Sequence, residues 1–231
     1  MRCCPVRRNV VDVVLQSIHF FNCTDSVDAR LSAIAVSSSR VVIANCFFER
    51  NGIPEDRFGG ADGGAVAVYG TSVVTVEQSE FRRNGGSFGG AMYITGTSRG
   101  RLSQVNFTEN RAVRAGGALM LSRDAHVDAD EIIFERNHVS ISAGFNGGAV
   151  SFHASRTNDN LRIDNTRPGL VFNLKNSICR GNSALLGGCL HAVGNARVEI
   201  TDSLIYNNSA KFLRGYCWTG LDARNASFSG E

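Results

Sequence analysis

Proline is scarce in this chain of 231 residues, with 3 prolines against 25 glycines. That imbalance excludes a proline-rich linker and a collagen-like tract, and it suits many turns between short strands. Lysine is nearly absent: Lys175 and Lys211 are the only two, so the other basic residues are arginines. They are spread along the chain rather than gathered into a stripe, and the formal net charge is only +3. A nucleic-acid partner is therefore not expected. No apolar run reaches the length of a membrane-spanning helix. The segment Met1-Arg2-Cys3-Cys4-Pro5-Val6-Arg7-Arg8 is basic, but Asp12 interrupts the apolar run that follows, so no signal peptide is read there. The seven cysteines (Cys3, Cys4, Cys23, Cys46, Cys179, Cys189 and Cys217) include no C-x-x-C spacing, which argues against structural zinc. Their odd number leaves pairing and redox compartment open. Helical spacing of apolar residues is missing as well.

What is present is an internal repeat made of two alternating motifs. The first is Gly-Gly followed by Ala or Cys, at Gly63-Gly64-Ala65, Gly89-Gly90-Ala91, Gly116-Gly117-Ala118, Gly147-Gly148-Ala149 and Gly187-Gly188-Cys189. The second is an apolar residue three positions before Asn, at Phe48/Asn51, Phe81/Asn84, Phe107/Asn110, Phe134/Asn137, Cys179/Asn182 and Ile205/Asn208. From the first Gly to the apolar residue is 18 positions in four coils and 32 in the remaining one, which carries a 14-residue surplus between His153 and Leu170. From Asn to the next Gly-Gly the distance varies as 12, 5, 6, 10 and 5. A constant segment alternating with a tolerant one is how strands and loops divide a solenoid coil.

Aligned on the first Gly, the coils show period-two columns. Offset three holds Val66, Met92, Leu119, Val150 and Leu190; offset thirteen holds Val76, Leu102, Ala129 and Ile200; offset eighteen holds Phe81, Phe107, Phe134 and Ile205. The offsets flanking thirteen are polar throughout. This is the mark of strands with one buried face. The expected fold is all-β: a right-handed parallel β-helix of about six to seven coils, forming a single domain over residues 1–231. The phenylalanines should stack in one buried column. Asn suits a left-handed coil corner or an amide ladder along the axis, and paired Gly permits positive φ or close approach of the next coil. The surplus at 155–168 should bulge as a loop. Val13, Leu15, Ile18 and Phe20 look like an earlier coil, and Arg214-Gly215-Tyr216-Cys217-Trp218 like a degenerate later one. The pattern continues to both ends, so the chain is expected to be a piece of a longer solenoid, with unpaired strand edges at each end.

The alternation of Gly-Gly-Ala-aliphatic with Phe-x-x-Asn resembles the repeats of chlamydial polymorphic outer membrane proteins, over roughly residues 10–213. The resemblance implies a surface-exposed passenger, extracellular or on the cell surface, with an adhesive or structural role and a protein or glycan ligand.

Several motifs invite chemistry. Gly96-Thr97-Ser98-Arg99-Gly100 matches a nucleophile elbow in letters, but it lies between two strands of one coil and reads as a turn. His126, Asp128 and Asp130 share one strand face, yet no ring of oxygen ligands accompanies them, so no metal or cofactor is expected. Stacking places Arg101 beside Asp128 and Lys175 beside Asp130, a charged face that reads as cross-strand ion pairs. Outward at offset four, Tyr93, Met120 and His191 form a candidate contact stripe. Sequons at Asn22, Asn106, Asn207 and Asn225 would matter in a secreted eukaryotic protein. No catalytic residue is assigned. Two functions fit: a non-enzymatic surface or structural module, or a polysaccharide lyase or hydrolase, which would need two carboxyls facing one groove.

Overall fold

The computed structural model describes residues 12–24, 32–52, 62–140, 147–154, 169–194 and 196–211, together with the backbone alone of 217–218 and 221–229. The described residues form strands and turns, arranged as a right-handed parallel β-helix with three sheets.

The first sheet stacks seven coils: Asp12–Gln16, Arg40–Ala44, Val73–Glu77, Arg99–Thr108, His126–Glu135, Leu170–Lys175 and Ala196–Tyr206. Its register is the one the columns imply. Val76, Leu102, Ala129, Leu174 and Ile200 are successive partners, and Val13 and Leu15 pair with Val41 and Ile43 as the earliest coil. The second sheet carries the Gly-Gly strands, from Ile34–Ser37 through Val66–Tyr69, Met92–Ile94, Leu119–Ser122 and Val150–His153 to Leu190–Val193. A third sheet of short strands opens the tolerant segment: Gly85–Phe88, Arg111–Ala115, His138–Val139, Ser183–Ala184 and Ser209–Ala210. Two to five residues per coil are too few to show a period, so this sheet was not expected.

Phe20, Phe48, Phe81, Phe107 and Phe134 form one stack, with successive ring centroids 4.7, 4.6, 5.0 and 5.1 Å apart and interplanar angles of 15° or less. Phe48 to Phe134 are wholly buried. The column continues as Cys179 and Ile205. Beside it runs an asparagine ladder. Each of Asn51, Asn84, Asn110, Asn137 and Asn182 donates through Nδ2 to the Oδ1 of the next Asn at 2.9–3.0 Å. The same Oδ1 also accepts the backbone N–H of the preceding Asn. The second Nδ2 hydrogen goes to the carbonyl of Phe20, Phe48, Phe81, Phe107, Phe134 or Cys179 in the coil before. A buried amide must find such partners, because an orphaned one is costly.

The ladder corrects one expectation. The Asn residues do not take the left-handed conformation. The residue before each does: Arg50, Arg83, Glu109, Arg136, Gly181 and Asn207, with φ between 52° and 65°. Asn is placed here for its amide, and the corner falls on its neighbour. The two glycines of each pair divide the expected roles between them. The first, such as Gly89 at φ 67°, needs the left-handed region. The second, such as Gly90, lies so close to the next coil that a Cβ would stand 2.1 Å from the Gly117 carbonyl oxygen.

The C-terminal end is also corrected. Cys217–Trp218 pairs antiparallel with Leu190–His191, and Leu221–Ser229 runs antiparallel along Ala196–Tyr206. The chain turns back over its last coil instead of adding a degenerate one, so that edge is paired. Among the described residues nothing pairs with the outer edge of Asp12–Gln16. The expected loop at 155–168 lies outside the described residues, but the strands either side of it, Val150–His153 and Leu170–Lys175, keep register with neighbouring coils.

Candidate functional site

The left-handed residue and the first residue of the third sheet together shape a cleft. At the corner column Arg50, Arg83, Glu109 and Arg136 follow one another in successive coils, their φ angles 54°, 53°, 56° and 52°. Such a residue turns the chain while its side chain points away from the core, so it can carry charge without desolvation. Two residues beyond it, the third-sheet column reads Gly52, Gly85, Arg111, His138, Ser183 and Ser209. Glycine in the earlier coils leaves a hollow where later coils carry a side chain. The resulting cavity, about 440 Å³, is lined by Asn22, Arg50, Arg83, Glu109 and Arg111 over a floor that includes Gly85 and Gly86. That volume is in the range of ligand pockets.

Three arginines meet one carboxylate there. Glu109 Oε2 accepts from Arg83 Nε at 2.7 Å and lies 3.8 Å from Arg82 Nε, while its Oε1 is 3.6 Å from Arg136 Nε. The hydrogen bond from Arg83 comes first in holding the Glu109 carboxyl below its ordinary range. Partial burial opposes it, and the charges of Arg83, Arg136 and Arg82 add to the lowering. Arg111 donates to Ser140 Oγ at 3.2 Å. Arg50 is exposed and has no ion pair among the described residues. Sequence reasoning missed this cleft because its columns vary from coil to coil. The signal was there as an arginine one position before the ladder Asn in three coils.

On the first sheet, Arg101 is the register partner of Asp128, and Lys175 of Asp130, as expected. Neither pair closes to salt-bridge distance. Asp128 instead accepts from Asn173 Nδ2 at 2.7 Å and lies 3.4 Å from His126 Nε2, and Asp130 accepts from Asn176 Nδ2 at 2.9 Å. Burial pushes the Asp128 carboxyl up, but the Asn173 hydrogen bond, His126 and Arg101 together outweigh it and leave the carboxyl lowered. Shorter amides reach the acids before the long basic side chains do, at lower entropic cost. Among the described residues no three His, Cys, Asp or Glu side chains gather as a metal site.

The stripe at offset four is not exposed. Met120 is 2% exposed and His191 8% exposed, and Tyr93 is half-buried. Alternation tells which face a side chain leaves from, not whether that face is later covered. At Tyr93 the cover includes Phe88 and Tyr69, with ring centroids 6.5 and 6.0 Å away. Burial, then the charge of His153, lowers the His191 pKa. The Tyr93 hydroxyl is 3.0 Å from Ser122 Oγ, which donates to Thr95 Oγ1. Ser98 is wholly buried, donates to the Gly70 carbonyl and accepts from the Ser72 N–H, which makes it a structural turn residue. The sequon residues Asn22, Asn106 and Asn207 are exposed. The Asn225 backbone lies in the antiparallel strand opposite Thr201.

One feature had no sequence expectation. Cys179 and Cys189 form a disulfide with Cα atoms 6.2 Å apart. Cys179 occupies the phenylalanine column and Cys189 the alanine that follows Gly-Gly. The joint replacement of both columns within one coil was the legible sign of a bond across it. Cys46 is a buried free thiol.

A family model described as right handed beta helix region matches residues 6–167. No curated protein and no solved structure matches the chain. No described helix is long and apolar enough to cross a membrane.

Proposed function

The chain belongs to the right-handed β-helix family, and on that premise we propose that it is a non-enzymatic surface module that binds a ligand on the outside of its coils. The observation that carries this reading is the arginine-lined cleft. It offers three cations and one carboxylate, and that carboxylate is held ionised by its neighbours. A glycosidase needs a protonated carboxyl beside a second one. Glu109 is the opposite of a proton donor. Asp62, whose pKa burial raises against the charge of Arg114, stands beside the strand Gly85–Phe88 of the third sheet, whereas Asp128 and Asp130 lie on the first. Asp62 lies on a different sheet from Asp128 and Asp130, and the Asp128 carboxyl is lowered rather than held protonated, which disfavours the hydrolase alternative.

An extracellular or cell-surface location fits the Cys179–Cys189 disulfide, because such bonds persist in oxidising compartments. A role of the polymorphic outer membrane protein type, adhesive or structural, is part of the same proposal. The test pairs capture with turnover. The full chain is presented to immobilised glycans and to matrix proteins, and the same preparation is assayed for release of reducing or unsaturated sugar ends. Capture without release supports the module. Steady release, abolished by Asp130→Asn or Asp62→Asn, would overturn it.

A further inference from the structure

We infer that the cleft recognises a tetrahedral oxyanion of the phosphate or sulfate type, an assignment that rests on the binding-module reading above. Arg50 and Arg83 occupy equivalent corner positions in adjacent coils, as the Asn51–Asn84 rung beside them fixes. Adjacent coils are about 4.8 Å apart, so two guanidinium groups leave the surface side by side. Like charges in neighbouring strands repel. Glu109 relieves Arg83 from the far side but makes no ion pair with Arg50. Arg111 lines the same cavity from the third-sheet column, two coils on from the Gly52 position.

A planar carboxylate can be satisfied by one guanidinium fork. A tetrahedral oxyanion presents oxygens to more than one side and can accept from two or three forks at once. The glycine floor lets it approach without meeting a side chain. Asn22 and Arg50 sit at the coil edge of the cavity, where the rest of an ester can extend. Glu109 sets the strength: it occupies Arg83 Nε and adds a negative charge beside the ligand. Removing that charge should tighten binding, whereas a purely structural role for Glu109 predicts no gain.

The experiment titrates the full chain with inorganic phosphate, inorganic sulfate, glucose 6-phosphate and glucose 6-sulfate, with acetate and glucose as controls. Binding is followed by calorimetry and by arginine side-chain NMR. The expected result is saturable binding of the oxyanions and not of acetate or glucose, weakened at least tenfold in Arg50→Ala/Arg83→Ala and strengthened in Glu109→Gln. Tighter binding of the esters than of the free ions identifies a group on a larger molecule; equal binding identifies the free ion. Oxyanion affinity no better than acetate, or unchanged in the double variant, would overturn the assignment. Unfolding curves exclude misfolding, since both arginines are exposed. Glycan or matrix capture by a chain that binds no oxyanion sinks this assignment and spares the module. Oxyanion binding without any capture does the reverse.

Discussion

Asn110 and Glu109 are adjacent in sequence and differ in every physical respect. Asn110 is wholly buried and belongs to a column that is Asn in six successive coils. Glu109 stands at the surface in a column that reads Arg, Arg, Glu, Arg, Gly, Asn. The inner column cannot vary, because each amide completes hydrogen bonds for the coils on both sides. The outer column shares only a left-handed backbone and is otherwise free. In a solenoid, then, the residue that repeats builds the scaffold and the one that varies beside it is available for function.

The largest effect should come from breaking the inner column. Asn110→Ala removes the acceptor of Asn84 N and Nδ2 and the donor to the Phe81 carbonyl and Asn137 Oδ1. Each orphaned buried group costs about 1–3 kcal/mol. The loss should exceed that of Phe107→Ala, about 3–5 kcal/mol for a truncated buried ring. Urea unfolding of both variants checks the order. A milder Asn110→Ala would mean that water enters the ladder and that its amides matter less than the stack.

The comparison also shows what the sequence could convey. The phenylalanine and asparagine columns were legible because they repeat at constant offset, and the register followed from them. The third sheet was not, since each of its strands buries at most two residues, such as Ala112 and Ala115 of Arg111–Ala115. Nor was the burial of Met120 and His191, which depends on what covers the second sheet and leaves no trace in the alternation. The pairing of Arg101 with Asp128 was correct in register and wrong in contact, because register fixes Cα positions while Asn173 competes for the same oxygens. The cleft escaped because a column that differs in each coil looks like noise.

The coil at Cys179 sharpens the contrast from within the core. There the ring-and-alanine filling of its neighbours is replaced by a covalent bond across ten residues. Closing so short a loop is worth about 2–3 kcal/mol on the chain-entropy account. Cys179→Ser/Cys189→Ser should lower stability by that amount. Cys179→Phe/Cys189→Ala restores the filling of the other coils. It should recover most of the loss, as thermal unfolding of the parent chain and both double variants would show. Failure of the restored pair would mean that this coil, beside the long surplus, needs the bond and not merely the volume.

The smallest effect belongs to the outer column, and its sign is set by charge. The Arg83 hydrogen bond and the surrounding guanidinium groups lower the Glu109 pKa. A carboxyl lowered on folding adds stability above its unfolded pKa of about 4.3. That stability is lost as pH falls through the folded value, because below it both states hold the proton. The pair is partly exposed to solvent, so screening keeps the contribution within about 1 kcal/mol. Glu109→Gln should therefore be slightly less stable than the parent at pH 7, and the gap should close as pH falls below the carboxylate range. Added salt should narrow the gap at pH 7 for the same reason. Urea midpoints of the two proteins across pH 7 to 3 measure it. A gap that persists unchanged at low pH would show that Glu109 acts through packing, placing it with the ladder residue beside it rather than with the charged surface.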